Sequence, residues 1–593
     1  MSRIPLRPLA RILRARDQGE NPDVIEKENI RLRHEEMRDQ ARARAEGRLL
    51  VLGSFFLLAF LTVGVRMALL SGSEVVEPKS YAPGADIIAG RADIVDRNGR
   101  ILATNLATHS LYAQPHTMIE KERAARELVR IFPDLDEERL LKDFTGTRKF
   151  LWIRKKISPE QMQLVHDIGE PGLLFGPREM RLYPNGKLAA HVLGGASFGR
   201  EGVHSAEVIG TAGVEKAHDD FLRDPANGGA PLELSIDLTI QAAAEEILNG
   251  GMKIMNAKGA ASVLMDIHTG EVISLVSLPN FDPNDRPQVL TEGDASDSPL
   301  FNRAVQGVYE LGSTFKIFTS AQALQERLVN PGTKINTKGP LTWGKHKIRD
   351  FHDYGKELSV TNVIVKSSNI GTARMAMEIG VKRQKEFLDS LGFFQPTPLE
   401  MGEARSAKPL LPKRWSEISL MTISYGHGLS ASPTHLAAAY STLLNGGLKV
   451  TPTLIKRDSY EPGPRIVSEQ VSAQSRSMLR QVVQRGTARF GEVPGYAVGG
   501  KTGTADKPKP RGGYYKEKVI ATFASVFPAH DPKYVLIVTL DEPTETTGTK
   551  PRRTAGWTAV PVAAEMIRRT APLLGLRPTL EPGQLVEVTQ TSN

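Results

Sequence analysis

From Leu49 to Val65 the chain carries no charged side chain, and no other stretch limits the fold so tightly. Arg66 interrupts the run and Met67 to Leu70 resume the apolar pattern. If the Arg66 stem snorkels to the headgroups, a helix over 49–70 reaches about 33 Å, enough to cross a bilayer. A cleaved leader fits less well: the apolar run begins only at Leu49, too late for an ordinary leader, and no clear small-x-small cleavage site follows it. A buried core helix would leave the flanking charges unexplained. Residues 29–48 hold Arg31, Arg33, Arg38, Arg42, Arg44 and Arg48, whereas residues 67–86 hold only Lys79. The positive-inside rule therefore keeps the N-terminus in the cytoplasm and sends everything beyond residue 71 across the membrane.

The formal charge of +9 comes from 76 basic and 67 acidic residues spread along the chain. A nucleic-acid binder gathers such an excess into a patch or stripe, so no nucleic acid is expected as a partner. The absence of cysteine excludes disulfides, thiolate metal sites and a cysteine nucleophile. At 593 residues the chain is too long for one core.

Periodicity orders the rest. Asp23 to Arg48 reads as a charged helix, and residues 72–90, with Pro78, Pro83 and Gly84, as an extended linker. Short strand-like runs (ADIV, HSLYA) alternate with helical ones (KERAARELVRIF) up to the turn-rich Asp224 to Gly229. Beyond it, Ala260 to Met265 and Glu271 to Ser277 form a hairpin-like pair. Ser313 to Arg327 reads as an amphipathic helix, Val519 to Val526 and Tyr534 to Leu540 as strands, and Ala559 to Leu574 as a helix. The tail from Arg577 looks loose.

Three short motifs carry chemistry. In Ser313-Thr-Phe-Lys316, a spacing of three on a helix puts the hydroxyl and the amine on one face, and a serine is a weak nucleophile until a base takes its proton. An N-cap serine with a solvated lysine is the bland reading, but no other serine in the chain has lysine at the third position after it. Ser367-Ser-Asn369 comes next, before an apolar helical stretch, where it could simply cap that helix. Lys501-Thr-Gly-Thr504 stands much further along the chain. Gly503 leaves a strand position bare, so that a substrate backbone could lie against it. Thr502 and Thr504 offer hydroxyls and Lys501 a charge for a carboxylate.

In this order the motifs resemble those of penicillin-binding proteins and class A β-lactamases, with Ser368 where aspartate often stands. RADIVDRNGRILATN (Arg91 to Asn105), RLYPNGKLAAHVLGG (Arg181 to Gly195), GTAGVEKAHDDFL (Gly210 to Leu222), NRAVQGVYELGSTFK (Asn302 to Lys316), KSSNIGTA (Lys366 to Ala373) and GKTGTADK (Gly500 to Lys507) together resemble class B penicillin-binding proteins over roughly residues 91–570. GVEKAHDDFL, the short pedestal and the DEPTETTG…TAGWTAVPVA ending are most similar to the division-specific branch. Leu311, where proline often stands, and His435, where glutamine is common, depart from the pattern.

The resemblance implies an α/β (α+β) penicillin-binding transpeptidase fold of the serine β-lactamase kind: a central antiparallel sheet flanked by helices, an elongated mixed α+β pedestal, and one N-terminal transmembrane helix. The expected division is 1–48 cytoplasmic, 49–70 transmembrane, 71–228 pedestal of the dimerisation type, 229–575 transpeptidase, and 576–593 flexible tail. It implies a peptidoglycan D,D-transpeptidase at the division septum of a bacterial cytoplasmic membrane, with its catalytic domain periplasmic. Ser313 would attack the penultimate D-Ala carbonyl of a stem peptide ending in D-Ala-D-Ala, with Lys316 as base. Burial and the charge of Lys501 would favour the neutral amine of Lys316. Backbone N–H groups of Ser313 and Thr504 would form the oxyanion hole. Ser367 would relay a proton and Asn369 would hold the substrate amide. Lys501, Thr502, Gly503 and Thr504 would bind the terminal carboxylate and backbone. β-Lactams would acylate the serine, no metal or cofactor would take part, and a membrane glycan polymerase of the FtsW type and other divisome proteins would be partners.

Rival readings remain. An elongation-specific paralogue is the nearest. A β-lactamase needs neither anchor nor pedestal, and no ExxLN-type deacylation motif is apparent between Asn369 and Lys501. A D,D-carboxypeptidase would share the chemistry with water as acceptor. A β-lactam sensor would usually carry several membrane spans or a cytoplasmic output domain, whereas one span is expected here and the segment before Leu49 is too short for a folded domain.

Overall fold

A computed structural model describes residues 7–72, 90–201, 206–397, 399–509 and 512–579. The chain divides into two compact units, Met1–Ile87 and Ile88–Asn593. In the first, the charged segment and the apolar run form one continuous 51-residue helix, α1 (Pro22–Gly72). Within it Leu49–Met67 has a mean hydropathy of 2.2 and its side chains are exposed among the described residues, a helix long and apolar enough to cross a membrane. Apart from its two end residues, the expected linker at 72–90 lies outside the described residues.

The second unit begins with a five-stranded sheet. β1 (Ile94–Val95) and the long β2 (Ile101–Ala113) pair antiparallel, and β2 pairs with β3 (Leu151–Ile157) and with β4 (Leu173–Leu182). β5 (Leu232–Glu233) closes it in parallel beside β1. A separate small core of Leu111, Leu128, Phe144 and Val165 fills the far part of this pedestal. The core of its near part is continuous with that of the residues beyond the turn around residue 228: Ile94, Leu102, Val192 and Val214 belong to the same cluster as Leu234, Ile240 and Leu248.

Beyond that turn lie α2 (Leu238–Ile254), β6 (Gly259–Asp266), β7 (Val272–Leu278), α3 (Lys316–Gln325), α4 (Val360–Lys366), α5 (Asn369–Ile379), α6 (Pro433–Leu444), α7 (Glu469–Arg485), β8 (Gly499–Pro508), β9 (Tyr514–Phe527), β10 (Tyr534–Asp541) and α8 (Ala559–Leu573). The strands form one antiparallel sheet in the order β8-β9-β10-β6-β7. β6, β7 and β10 are buried almost without alternation, because helices cover both faces and neither presents a polar side to water. β8 is an edge strand, and that edge faces the site.

Two expectations change. The helix after Ser313 is not amphipathic: Lys316 to Leu324 are buried all round, and its polar residues find partners inside, Thr319 Oγ1 donating to the Ser424 carbonyl at 3.1 Å. The chain is still held just beyond Arg577, where the Thr579 N–H donates to the Gly495 carbonyl at 2.9 Å, and the rest of the expected tail, 580–593, lies outside the described residues.

Candidate active site

The nucleophile candidate sits on a single 3-10 turn, Gly312–Phe315, that leads into α3. In that geometry residues three apart eclipse, so Ser313 and Lys316 stack over each other. Gly312 makes the turn possible: its φ is +57°, and a Cβ there would lie 2.9 Å from the Thr504 carbonyl oxygen. The turn is thereby pressed against β8, bringing Ser313 and Thr504 side by side. Among the described residues the Ser313 hydroxyl has no hydrogen-bond partner. Leu311 keeps φ at −91° and buries its side chain, so the turn forms without proline.

Lys316 and Lys501 are both fully buried and both point at Ser367. Lys316 Nζ donates to the Ser367 carbonyl at 2.5 Å and to its Oγ at 3.0 Å; Lys501 Nζ donates to the same Oγ at 3.0 Å and to the Thr502 carbonyl at 3.1 Å. Burial drives Lys316 well below the usual ammonium value, and the charge of Lys501 pushes the same way while Asp350 opposes. Burial lowers Lys501 to about 7. A low-dielectric site thus supplies a neutral amine beside a serine.

The second motif bridges two helices. Ser367 ends α4 in the left-handed region (φ 61°, ψ 43°), an uncommon conformation for a residue with a side chain. Ser368 caps α5, its Oγ accepting from the Gly371 N–H at 2.9 Å. The capping role thus falls to the middle residue and leaves Ser367 for the lysines. Asp350 holds the junction: its carboxylate accepts from Ser368 Oγ and the Asn369 N–H at 2.6 Å each and from the Ile370 N–H at 3.0 Å. Asn369 Nδ2 donates one hydrogen to the Arg349 carbonyl at 2.9 Å, which fixes the amide and leaves its oxygen and its second N–H for a substrate.

On β8, alternation sends Lys501 and Gly503 to one face and Thr502 and Thr504 to the other. The expected role of Gly503 is corrected here. A Cβ at Gly503 would lie 2.2 Å from the Leu311 carbonyl and 2.8 Å from Thr314 Cγ2, so its bareness admits the nucleophile's own turn rather than a substrate. Thr502 Oγ1 lies 2.7 Å from Thr487 Oγ1, and Thr504 Oγ1 accepts from the Ala555 N–H at 3.0 Å.

The match to known families agrees with this geometry. Residues 260–566 match the penicillin-binding protein transpeptidase domain, and residues 86–230 the penicillin-binding protein dimerisation domain. A probable peptidoglycan D,D-transpeptidase FtsI of Caulobacter vibrioides is 35% identical over 92% of this chain and 92% of its own length. The chain belongs to the class B penicillin-binding proteins. Peptidoglycan D,D-transpeptidase FtsI of Escherichia coli is 28% identical, covering 77% of this chain and 80% of that protein. A crystal structure of penicillin-binding protein 3 from Mycobacterium tuberculosis, complexed with aztreonam, shares the fold at a TM-score of 0.63 and 24% identity, over 83% of this chain and 98% of that one.

Within this class B penicillin-binding protein, the pedestal blocks meet in one buried ion cluster. Arg91 Nε and Arg181 Nε donate to the two oxygens of Glu215 at 2.6 and 2.7 Å, and Arg91 Nη1 donates to Asp219 at 2.6 Å. The other departure also has a use. His435 completes a capping box at the start of α6, its N–H donating to Ser432 Oγ at 3.2 Å while its Nδ1 accepts from the Ser432 N–H at 3.4 Å, the part a glutamine plays. Asp350 and Thr487 belong to the site and carry no motif. Nothing in their sequence surroundings marks them, because each reaches the site through a loop fixed only by the fold.

Proposed function

We propose that Ser313 is the acyl-accepting nucleophile and Lys316 its base. The chain is a serine-type peptidoglycan D,D-transpeptidase that acts on stem peptides and binds β-lactams. The observation that carries the assignment is the convergence of Lys316 Nζ and Lys501 Nζ on Ser367 Oγ, which joins all three motifs in one buried cluster. Ser313 attacks the penultimate D-Ala carbonyl while Lys316, neutral through burial, takes its proton. The backbone N–H groups of Ser313 and Thr504, held together by the Gly312 contact, receive the oxyanion. Ser367 passes the proton from Lys316 to the departing D-Ala. The substrate backbone adds to the free edge of β8, its amide meets the open oxygen of Asn369, and its carboxylate meets Thr502, Thr504 and the charge of Lys501. An amine of a second stem peptide then takes the acyl group from Ser313. Replacement Ser313→Ala abolishes labelling by fluorescent penicillin; undiminished labelling refutes the assignment.

The arginines at 29–48 support an N-terminus in the cytoplasm, residues 49–70 across the inner membrane, and a pedestal (71–228) and transpeptidase region (229–575) in the periplasm. The likeness to FtsI proteins supports work at the septum beside an FtsW-type glycan polymerase and other divisome proteins. Depletion then gives filaments; rounded cells would instead assign the chain to elongation.

A further inference from the structure

The nucleophile turn has a second neighbour that the mechanism above leaves idle. The loop Tyr425-Gly-His-Gly428 grips the turn at two points: the Gly312 N–H donates to the Gly426 carbonyl at 3.1 Å, and the Gly428 N–H donates to Glu310 Oε1 at 2.8 Å. His427 lies between these two contacts. Tyr514, from β9, donates its hydroxyl to the same Glu310 oxygen at 3.0 Å, and the Tyr425 ring packs 5.5 Å from the imidazole. One oxygen of Glu310 is therefore fully used.

The other is not. Among the described residues, Glu310 Oε2 and His427 Nδ1 are both buried polar atoms without a hydrogen-bond partner. Native structures leave few such atoms unpaired, because each costs about 1–3 kcal/mol. These two lie on residues joined through Gly428, against the turn that carries Ser313, and each lacks a partner. Burial lowers His427 against the opposing pull of Glu310, Asp506 and a hydrogen bond with the Tyr425 backbone, so the ring is neutral at pH 7 and keeps one acceptor nitrogen. The groups facing it are Glu310 before the turn, Lys316 on α3, Asp506 on β8 and Tyr425 on its own loop. Two acceptors flanked by Tyr425 and Tyr514 suit a cation that donates several hydrogen bonds.

We propose that Glu310 and His427 form a subsite for a primary amine of the stem peptide, held beside the Ser313 acyl group. The inference rests on the transpeptidase reading and deepens it. The amine has two possible sources, the attacking amine of the acceptor strand or a free side-chain amine on the donor strand, and the chemistry of recognition is the same for both.

The test uses the full-length protein and the variants Glu310→Gln and His427→Phe. Gln keeps one carbonyl oxygen for Gly428 and Tyr514 and replaces the free oxygen with an NH₂ that cannot accept. Two ratios are read within each variant, so a general loss of acylation cancels. The first is the rate of acylation by a D-Ala-D-Ala stem peptide bearing a free diamino-acid side chain, relative to its N-acetylated form. The second is the partition of the acyl-enzyme between an added stem-peptide amine and water. A fall of about tenfold in the first ratio places the donor amine here, and the same fall in the second places the acceptor amine. Both ratios within twofold of the parent in both variants overturn the subsite. If the parent protein itself is not acylated by penicillin at Ser313, the transpeptidase reading falls instead.

Discussion

Lys316 and Lys501 donate to one and the same acceptor, each Nζ lying 3.0 Å from Ser367 Oγ. Two ammonium groups around one buried hydroxyl repel, so the pair is stable with one charge and not with two. The serine between them then connects a base to a cation, which is what a proton relay needs.

A pH profile follows from that division of labour. Acylation by benzylpenicillin rises with pH as Lys316 loses its proton, well below the ordinary ammonium range. It falls again as Lys501, lowered to about 7, loses its charge. Lys501→Arg stays protonated throughout, so its profile keeps the rising limb and loses the falling one. Second-order acylation rates between pH 5 and 9 decide it; a falling limb that stays near 7 in the variant belongs to another group.

The same burial has a stability cost with a definite sign. Lys501 titrates near 7 when folded and near ~10.4 when unfolded, so between these values the unfolded chain binds more protons and stability rises with pH. Below about 7 the full penalty is present. Lys501→Met removes it at the loss of two hydrogen bonds, and should stabilise the protein by on the order of 2 kcal/mol at pH 7 while abolishing acylation. Urea unfolding at pH 7 and pH 10 measures this, and a gain that does not shrink at pH 10 contradicts the linkage.

The sequence carried the strands and helices of the transpeptidase region well, because hydrophobic runs such as Tyr534 to Leu540 are fixed by burial that period and length reveal. It also carried the residues that meet in the site, since Ser313, Lys316, Ser367 and Lys501 sit in short motifs whose spacing is local. What it missed depends on neighbours far along the chain. Gly503 looked like room for a substrate because the sequence does not show that the Leu311 carbonyl already occupies that side. Asp350, well upstream of Ser367, is one acidic residue in a charged loop until α5 is seen to start on it. The helix after Ser313 read as amphipathic because Thr319, Ser320 and Gln322 are polar, and only the fold shows them bonded inside.

Asp350 should matter to catalysis without touching substrate. Its carboxylate holds Ser368 and two N–H groups at the start of α5, and through them the position of Ser367 and Asn369. Asp350→Ala removes a helix cap worth roughly 0.5–2 kcal/mol. It also frees the second motif to move, and a shift of about 1 Å can cost up to about 100-fold in rate. Penicillin acylation should fall at least about tenfold while circular dichroism stays native. Unchanged acylation would show that the motif is held by α4 alone.

The pedestal's ion cluster makes a prediction far from the chemistry. Side chains of Arg91, Arg181 and Glu215 are at most 3% exposed. Removing the carboxylate strands the buried Arg181 guanidinium and leaves Arg91 with Asp219 alone, so Glu215→Ala should destabilise by about 3–5 kcal/mol. The double replacement Arg91→Met with Glu215→Ala should lose less than the two single changes added together. Thermal unfolding of the four proteins measures the coupling; strict additivity would mean that the cluster does not act as a unit.

Gly503→Ala separates the two readings of that glycine. If the bare position served only a substrate lying on β8, an added methyl would impair acylation and leave the unfolding temperature alone. The contacts say otherwise: the new Cβ would meet the Leu311 carbonyl at 2.2 Å and Thr314 Cγ2 at 2.8 Å, both on the turn that carries Ser313. Neither atom is the end of a flexible side chain, so the turn itself must retreat from β8. That retreat also parts the N–H groups of Ser313 and Thr504, on which the oxyanion depends. Gly503→Ala should therefore lose about 1–3 kcal/mol of stability through overpacking and at least about 100-fold in penicillin acylation, the two losses appearing together because one displacement causes both.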